Sequence, residues 1–239
     1  MIDIHSHVLP KMDDGSKSRE ESISLLRTAY DQGVEAVFST PHFYPKRDDP
    51  EEFSKRRAHS VRALLSTEDE ILKKLPVYVG AEVAFFYGMS RFDGLRDFSL
   101  GGSDYILIEM PFDKWTAEEV AEVVSVKEVA GLIPVLAHVE RYLPFGNKKY
   151  FKYLVYNGAI LQSNAEFFIA RRSRRKALSF LKKGLVSLIG SDCHNTETRP
   201  QNYGEAVKII ADAKKTEYLK RVTETEQKIL SKARPILSE

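Results

Sequence analysis

The chain has 239 residues, of which 43% are hydrophobic and 29% charged, a composition typical of a folded globular protein. Its formal net charge of +2 argues against a dedicated nucleic-acid binder, and no apolar run approaches the roughly 20 residues of a membrane-spanning helix. A single cysteine, Cys193, excludes an intrachain disulfide and a multi-cysteine zinc site. The N-terminus lacks a secretory signal pattern, so we expect a cytoplasmic protein with one domain over residues 1–239.

Short apolar runs alternate with longer amphipathic stretches along the chain. The predicted strands are Met1–His5, Ala36–Thr40, Val77–Glu82, Tyr105–Met110, Pro134–His138, Ala159–Ser163 and Val186–Ser191. The predicted helices are Glu20–Gln32, Glu51–Leu72, Ala117–Ala130, Lys148–Asn157 and Arg172–Lys183, followed by C-terminal helices over about 202–232. Strands that alternate with helices indicate parallel β-α-β units. Seven predicted strands favour an α/β fold of the incomplete or distorted barrel type. The main alternative is a doubly wound open sheet.

Histidines and acidic residues lie at the ends of the predicted strands. They are His5, His7, His42, Glu82, Glu109, His138, Asp192 and His194. The carboxyl ends of parallel strands meet at one edge of the sheet, so we expect these side chains to lie together. His59 is the exception among the histidines, because it falls within a predicted helix and is expected at the surface.

Each of these signals is weak alone, since a lone His-x-His pair or a capped turn at Asp192 has ordinary structural explanations. Burying so many acids together, however, is unfavourable unless cations compensate them. Imidazole and carboxylate ligands without thiolates suit Mn²⁺, Fe or Zn²⁺, and eight ligands exceed what one tetrahedral ion accepts. The sequence therefore predicts two or three divalent ions, which would activate a water for phosphoryl transfer.

The same motifs carry a family resemblance over most of the chain. They are MIDIHSH at the start, DDGSKSREES at 13–22, STPHF at 39–43, GAE at 80–82, ILIEM at 106–110, AHVERY at 137–142 and SDCHN at 191–195. With them, the chain resembles the polymerase-and-histidinol-phosphatase (PHP) superfamily. Within it, the chain is similar to the bacterial metal-dependent protein-tyrosine phosphatases of capsular and exopolysaccharide gene clusters.

The resemblance implies a distorted seven-stranded (β/α)7 PHP-type barrel with a trinuclear site that usually holds manganese. It implies that His5, His7, Glu82 and Asp192 bind one part of the cluster and that Asp14, His42, Glu109, His138 and His194 complete it. It also implies catalytic roles for Arg141 and Arg199, whose guanidinium groups are suited to phosphoryl oxygens. The implied substrate is a phosphotyrosine protein, a bacterial tyrosine kinase that controls polysaccharide assembly.

Cys193 and Arg199 also have the C-x5-R spacing of cysteine-dependent tyrosine phosphatases. The residues between them include no glycine, and Glu197 would repel an anion, so we expect Cys193 not to be a nucleophile. The aromatic residues at 43–44 and 85–87 either line a slot for a phosphotyrosine ring or belong to the core. The basic cluster at 171–176 either docks an acidic tail of the substrate or forms an ordinary solvated surface. The alternatives to a tyrosine phosphatase are a small-molecule phosphatase, such as a histidinol-phosphate phosphatase, and a silent phosphotyrosine-binding regulator.

Overall fold

Parallel strands joined by helices form the framework of the molecule, in a computed structural model that describes residues 1–213 and 216–237. The strands are β1 (Ile2–Ser6), β2 (Ala36–Ser39), β3 (His42–Phe43), β4 (Val77–Val79), β5 (Glu82–Ala84), β6 (Tyr105–Glu109), β7 (Ile133–Leu136), β8 (Ile160–Asn164) and β9 (Leu188–Gly190). The α-helices are α1 (Arg19–Asp31), α2 (Pro50–Leu65), α3 (Ile71–Lys74), α4 (Ala117–Val129), α5 (Lys148–Tyr156), α6 (Ala165–Ile169), α7 (Arg171–Lys182), α8 (Tyr203–Asp212) and α9 (Thr216–Leu230). The α/β class predicted from the sequence is confirmed.

The sheet curls until its first and last strands approach each other. The strand orders are β4-β2-β1 and β3-β5-β6-β7-β8-β9, and all of the paired strands are parallel. Across the remaining gap, the backbone N–H of His7 donates to the carbonyl of Cys193 at 2.8 Å, and that of Asp192 to His5 at 2.8 Å. The predicted strand Ala36–Thr40 corresponds to β2, and the short strand β3, which was not predicted, follows it after a break at Thr40–Pro41; the predicted strand Val77–Glu82 is divided at Gly80–Ala81 into β4 and β5. Proline has no backbone N–H to donate to a neighbouring strand, which accounts for the first break.

Alternate strand residues build two apolar layers. On one face, Ile2, Phe38, Leu107 and Val135 form a cluster with Ile229 from α9, which covers the amino ends of the strands. The opposite face packs against the surrounding helices in the larger core cluster. Both apolar layers leave the carboxyl ends of the strands to polar side chains.

The helices largely follow the predicted stretches, with local differences. The predicted helix Glu51–Leu72 ends at Leu65, and a turn separates it from α3. The C-terminal helices predicted over about 202–232 are α8 and α9, and residues 214–215 between them lie outside the described residues. No helix in the described part of the chain combines the length and the apolar character that crossing a membrane requires.

Candidate metal centre

The carboxyl ends of the strands bring all of the predicted ligand residues into one connected cluster. His5 and His7 lie at the end of β1, Glu109 ends β6, His138 follows β7, and Asp192 and His194 follow β9. His42 and Glu82 follow the ends of β2 and β4, where they open the short strands β3 and β5. Asp14, from the loop after β1, lies 3.5 Å from His42 and 3.4 Å from His194. The predicted set is therefore a single site in space, although its members span most of the chain.

Glu82 is the centre of this cluster. Its Oε2 atom lies 3.2 Å from His5, 3.4 Å from His7 and 3.0 Å from His42. Its Oε1 atom lies 2.8 Å from Nε2 of His138. One buried carboxylate thus faces four imidazoles, and this concentration of nitrogen and oxygen donors would suit a divalent metal ion.

Several buried atoms of the cluster have no hydrogen-bond partner within the described chain. They include Nδ1 of His138 and Nε2 of His194. In addition, the Nε2 atoms of His5 and His7 face each other at 3.3 Å, a distance at which only one of them can donate a proton. Buried polar atoms without partners are costly, and metal ions would satisfy them.

Three groups of these residues place ligand atoms within 4.8 Å of one another. They are His7, Asp14, His42 and His194; His5, His7 and Asp192; and His42, Glu82 and Glu109. His138 joins the third group through Glu109, whose Oε1 lies 3.4 Å from its Nε2. The donors are nitrogen and oxygen only, so the cluster fits borderline or hard divalent ions rather than thiolate-seeking ones.

Asp192 divides its two carboxylate oxygens between the cluster and cationic side chains. Its Oδ1 lies 3.5 Å from both His5 and His7. Its Oδ2 accepts from Arg141 at 2.6 Å and lies 2.7 Å from Arg199. The residue itself has φ of +55°, a left-handed conformation that is strained for aspartate and is commonly found at functional sites. Both predicted catalytic arginines therefore lie beside the cluster.

Supporting residues that the sequence did not reveal hold the histidines in place. The Asp13 carboxylate accepts from Nδ1 of His7 at 2.7 Å and from the backbone N–H of His42 at 2.9 Å. Gln162 Oε1 lies 3.2 Å from Nδ1 of His5 and accepts from the backbone N–H of His138 at 2.7 Å. Such contacts fix the ring orientation of a metal-binding imidazole.

Two glycines permit the close packing around the first pair of histidines. A Cβ at Gly15 would lie 2.5 Å from Cβ of His7, and a Cβ at Gly190 would lie 2.6 Å from Cβ of His5. Both distances are shorter than real Cβ contacts, so a side chain at either position would displace a histidine.

The electrostatics favour ionised carboxylates within the cluster. Although burial opposes ionisation, the charge of His5 and hydrogen bonds from His138 and His42 hold the pKa of Glu82 well below its usual range. Burial likewise opposes protonation of His138, but its hydrogen bonds to Glu109 and Glu82 raise its pKa to about 9. Burial and the neighbouring charge of His7 lower the pKa of His194 to about 3.

Cys193 is not placed as a nucleophile. Burial raises the pKa of its thiol to about 12, so the reactive thiolate is disfavoured. The turn that follows is not a phosphate cradle either, because its backbone N–H groups are already used. Those of residues 197–199 donate to Oδ1 of Asn195, and those of His194 and Asn195 donate to the carbonyl of Arg199.

Aromatic side chains near the cluster are only partly those singled out in the sequence. Phe43 is buried in the core, where its ring stacks on Phe98 at 4.2 Å. Tyr44 stacks on His42 at 5.2 Å. Phe112, which the sequence did not reveal, stacks on His138 at 5.7 Å and is 47% exposed. Its signal was its position three residues after Glu109, in the loop that follows a ligand-bearing strand.

The basic cluster at 171–176 lies at the start of α7. Arg174 donates to the carbonyls of Phe168 at 3.0 Å and Ile169 at 2.6 Å, and so closes the end of α6. Arg171, Arg172, Arg175 and Lys176 are exposed. His59, expected at the surface, is exposed on α2.

Comparison with known proteins gives matches over nearly the whole chain. A family model described as capsular polysaccharide synthesis, CpsB/CapC, matches residues 1–231. Tyrosine-protein phosphatase CpsB of Streptococcus pneumoniae is 34% identical over 225 residues, which cover 88% of this chain and 90% of that protein. Tyrosine-protein phosphatase YwqE of Bacillus subtilis is 32% identical over 218 residues, which cover 88% of this chain and 84% of that protein.

A solved structure also matches this chain over nearly its whole length. It comes from crystal structures of YwqE from Bacillus subtilis and CpsB from Streptococcus pneumoniae, described as metal-dependent tyrosine phosphatases. It superimposes with a TM-score of 0.82 at 27% identity and covers 98% of this chain and 96% of the other.

Proposed function

This chain belongs to the CpsB/CapC family of capsular polysaccharide synthesis, and we propose that it is a metal-dependent protein-tyrosine phosphatase. The observation that carries the proposal is the convergence of four imidazoles on the buried Glu82 carboxylate, directly beside Asp192 and its two arginines. A centre that binds cations next to free guanidinium donors suits an anionic phosphoryl group better than any neutral substrate.

The proposed ligands of the metal ions are the nine residues of the cluster. They are His5, His7, Asp14, His42, Glu82, Glu109, His138, Asp192 and His194, and Glu82 is the proposed bridge. We expect two or three divalent ions, with manganese first and iron or zinc as alternatives. When bound, such ions supply a water activated at neutral pH for direct attack on phosphorus. No covalent enzyme intermediate is expected, because Cys193 is buried.

Arg141 and Arg199 are the proposed catalytic residues. Each contacts Oδ2 of Asp192 through one Nη2 atom and is partly exposed, so further N–H donors of each fork are free to bind phosphoryl oxygens. Asp192 thereby orients both forks, and their fixed positive charge would stabilise the charge that develops on the phosphoryl group.

The rings of Phe112 and Tyr44 are suited to hold the substrate's aromatic ring. They stack on His138 and His42, which contact different oxygens of the Glu82 carboxylate, and Phe112 is open to solvent. Aromatic pairs at such positions would orient a phosphotyrosine by face and edge contacts.

The finer assignments rest on the sequence resemblance. We propose that the curled sheet is a distorted seven-stranded PHP-type barrel, since β2 with β3 and β4 with β5 each follow one another after a two-residue break. The proposed substrate is a phosphotyrosine-bearing bacterial tyrosine kinase that regulates capsular or exopolysaccharide synthesis, and the proposed location is the cytoplasm.

The test is a steady-state assay of metal-stripped protein on a phosphotyrosine peptide and on histidinol phosphate, with Mn²⁺ restored in one arm and chelator retained in the other. We expect turnover that depends on Mn²⁺ and strongly prefers the peptide. Two matched variants compare the buried Glu82 of the cluster with Glu70, an exposed carboxylate between α2 and α3. Glu82→Gln should lose bound metal, and Glu70→Gln should retain it. Activity that survives rigorous metal removal would contradict the proposal. A preference for histidinol phosphate would show that the substrate is a small molecule rather than a phosphotyrosine protein.

A further inference from the structure

Two adjoining cavities extend from the metal centre along the loop that follows β1. The first, of about 410 Å³, is lined by residues that include Asp13, Asp14 and His42 of the centre together with Met12, Asp48 and Arg56. The second, of about 440 Å³, is lined by residues that include Pro10, Lys11, Arg19, Glu20, Arg56 and His59. Arg56 lies in both walls, and the loop residues of the second cavity directly precede those of the first. The second cavity, here called the outer cavity, therefore opens beside the metal centre.

The outer cavity has an excess of positive charge. Arg56 is paired with Asp48 at 2.7 Å, so the cations that remain are Lys11 and Arg19, and the acid that faces them is Glu20. Neither Lys11 nor Arg19 forms an ion pair shorter than 4 Å within the described chain, although the Arg19 guanidinium donates weakly to the Ser66 hydroxyl at 3.4 Å. Two cations that face one acid leave a net positive charge for a ligand.

The wall that carries Lys11 is fixed relative to the metal centre. Ser60 on α2 donates to the carbonyl of Pro10 at 2.6 Å, and the backbone N–H of Lys11 donates to Ser16 at 2.8 Å. Ser16 in turn donates to the carbonyl of His7 at 3.0 Å. Lys11 itself has φ of +58°, an unfavourable conformation that these contacts hold in place. The same loop thus positions the Asp14 ligand and the cation of the outer cavity.

We propose that the outer cavity is a specificity site that binds an acidic side chain of the phosphoprotein substrate, on one side of the phosphotyrosine. The inference rests on the proposed function and deepens it. A polypeptide whose phosphotyrosine occupies the metal centre can continue past Arg56 into the outer cavity, where an aspartate or glutamate meets Lys11 and Arg19. Such pairs are partly solvated, so they add selectivity rather than most of the binding energy.

The test is a set of phosphotyrosine peptides of equal length in which one glutamate is moved through every position on either side of the phosphotyrosine, in an otherwise uncharged background. We expect glutamate at one or two neighbouring positions to raise kcat/KM about three- to tenfold, mainly through a lower KM. Arg19→Ala should remove this preference, and Arg19→Glu should transfer it to lysine at the same position. His59→Ala provides a second variant in the same wall.

The matched control is Arg172→Ala, which removes an exposed cation on α7 outside the outer cavity. Hydrolysis of p-nitrophenyl phosphate should stay unchanged in Arg19→Ala and Arg172→Ala, because neither residue belongs to the metal centre. A glutamate preference that survives in Arg19→Ala, or one that disappears in Arg172→Ala instead, would overturn the proposal, and so would equal rates on every peptide. Failure of the wild-type protein with Mn²⁺ on both p-nitrophenyl phosphate and all peptides would contradict the proposed function itself.

Discussion

Replacing Asp13 by asparagine tests whether the orientation of His7 controls the metal centre. Oδ2 of Asp13 accepts from Nδ1 of His7 and from the backbone N–H of His42, while Oδ1 accepts from the backbone N–H of Gly15 at 2.9 Å. Both oxygens are thus acceptors. An asparagine has one acceptor and one donor end, so one of these N–H groups must face an NH₂ group.

The size of the effect follows from these contacts. Losing a contact that orients a metal-binding histidine typically costs about 10- to 100-fold in metal affinity or activity, equivalent to ~1.4–2.7 kcal/mol. That range agrees with the roughly 1–3 kcal/mol for leaving one buried polar group unsatisfied. We therefore expect Asp13→Asn to raise the Mn²⁺ concentration for half-maximal activity by about 10- to 100-fold.

The assay is a Mn²⁺ titration of phosphotyrosine-peptide hydrolysis, beginning from metal-stripped protein. The matched control is Asp69→Asn, since Asp69 also accepts from a backbone N–H, at 2.9 Å to Ile71, and from a cation, Arg27, but contacts no histidine. Thermal unfolding in chelator should show that both variants remain folded. Identical Mn²⁺ titrations for the two variants would refute the reasoning.

Three further substitutions have separate expected outcomes. Cys193→Ser should keep most of the kcat on a phosphotyrosine peptide and lower the free energy of unfolding by about 1 kcal/mol, since it buries a hydroxyl; near-complete loss of activity at unchanged metal content would contradict this. Arg141→Lys should lower kcat about 100-fold without changing metal content, because lysine has no planar fork, and an unchanged kcat would argue against its role. Burial raises the pKa of Glu226 to about 7 from its ordinary 4.5, so its neutral form is preferred in the folded state. The contribution of Glu226 to stability should therefore fall by about 3 kcal/mol as pH rises from about 4.5 to 7. Chemical unfolding across this range should show that the free energy of unfolding of the wild type, measured relative to Glu226→Gln, falls by this amount, and a difference that stays constant with pH would contradict the reasoning.

The positions of the ligand residues could be predicted because a parallel sheet gathers the carboxyl ends of its strands. His5, Glu82 and Asp192 are far apart in sequence, yet each lies at the end of a predicted strand, which placed all three at the same edge. How the residues divide between individual ions could not be predicted, since it depends on side-chain directions. Asp13 and Asp14 illustrate this: adjacent in one turn, they face different partners, His7 and His194.

Other supporting residues were hidden because their sequence pattern has an ordinary explanation. Gln162 lies inside a strand, where a single polar residue gives no functional signal until its partners His5 and His138 are known. Glu226 follows the polar pattern of an amphipathic helix, yet it is buried, accepts from the backbone N–H of Ile2 at 3.2 Å and pairs with the Tyr203 hydroxyl. Local sequence periodicity does not predict contacts between residues that are far apart in the chain.

The metal centre is complete only when β1 contacts the segment that follows β9. Residues His5 and His194 belong to one cluster, and the backbone of His7 bonds to Cys193. Asp192 and His194 lie far along the chain from His5 and His7, so the two parts of the set are synthesised at different times. A chain that has not yet reached the segment after β9 therefore lacks part of the proposed ligand set, and the complete centre forms only when the sheet closes on itself. Assembly of the proposed metal centre is in this sense linked to the pairing of strands that are distant in sequence, which is slow.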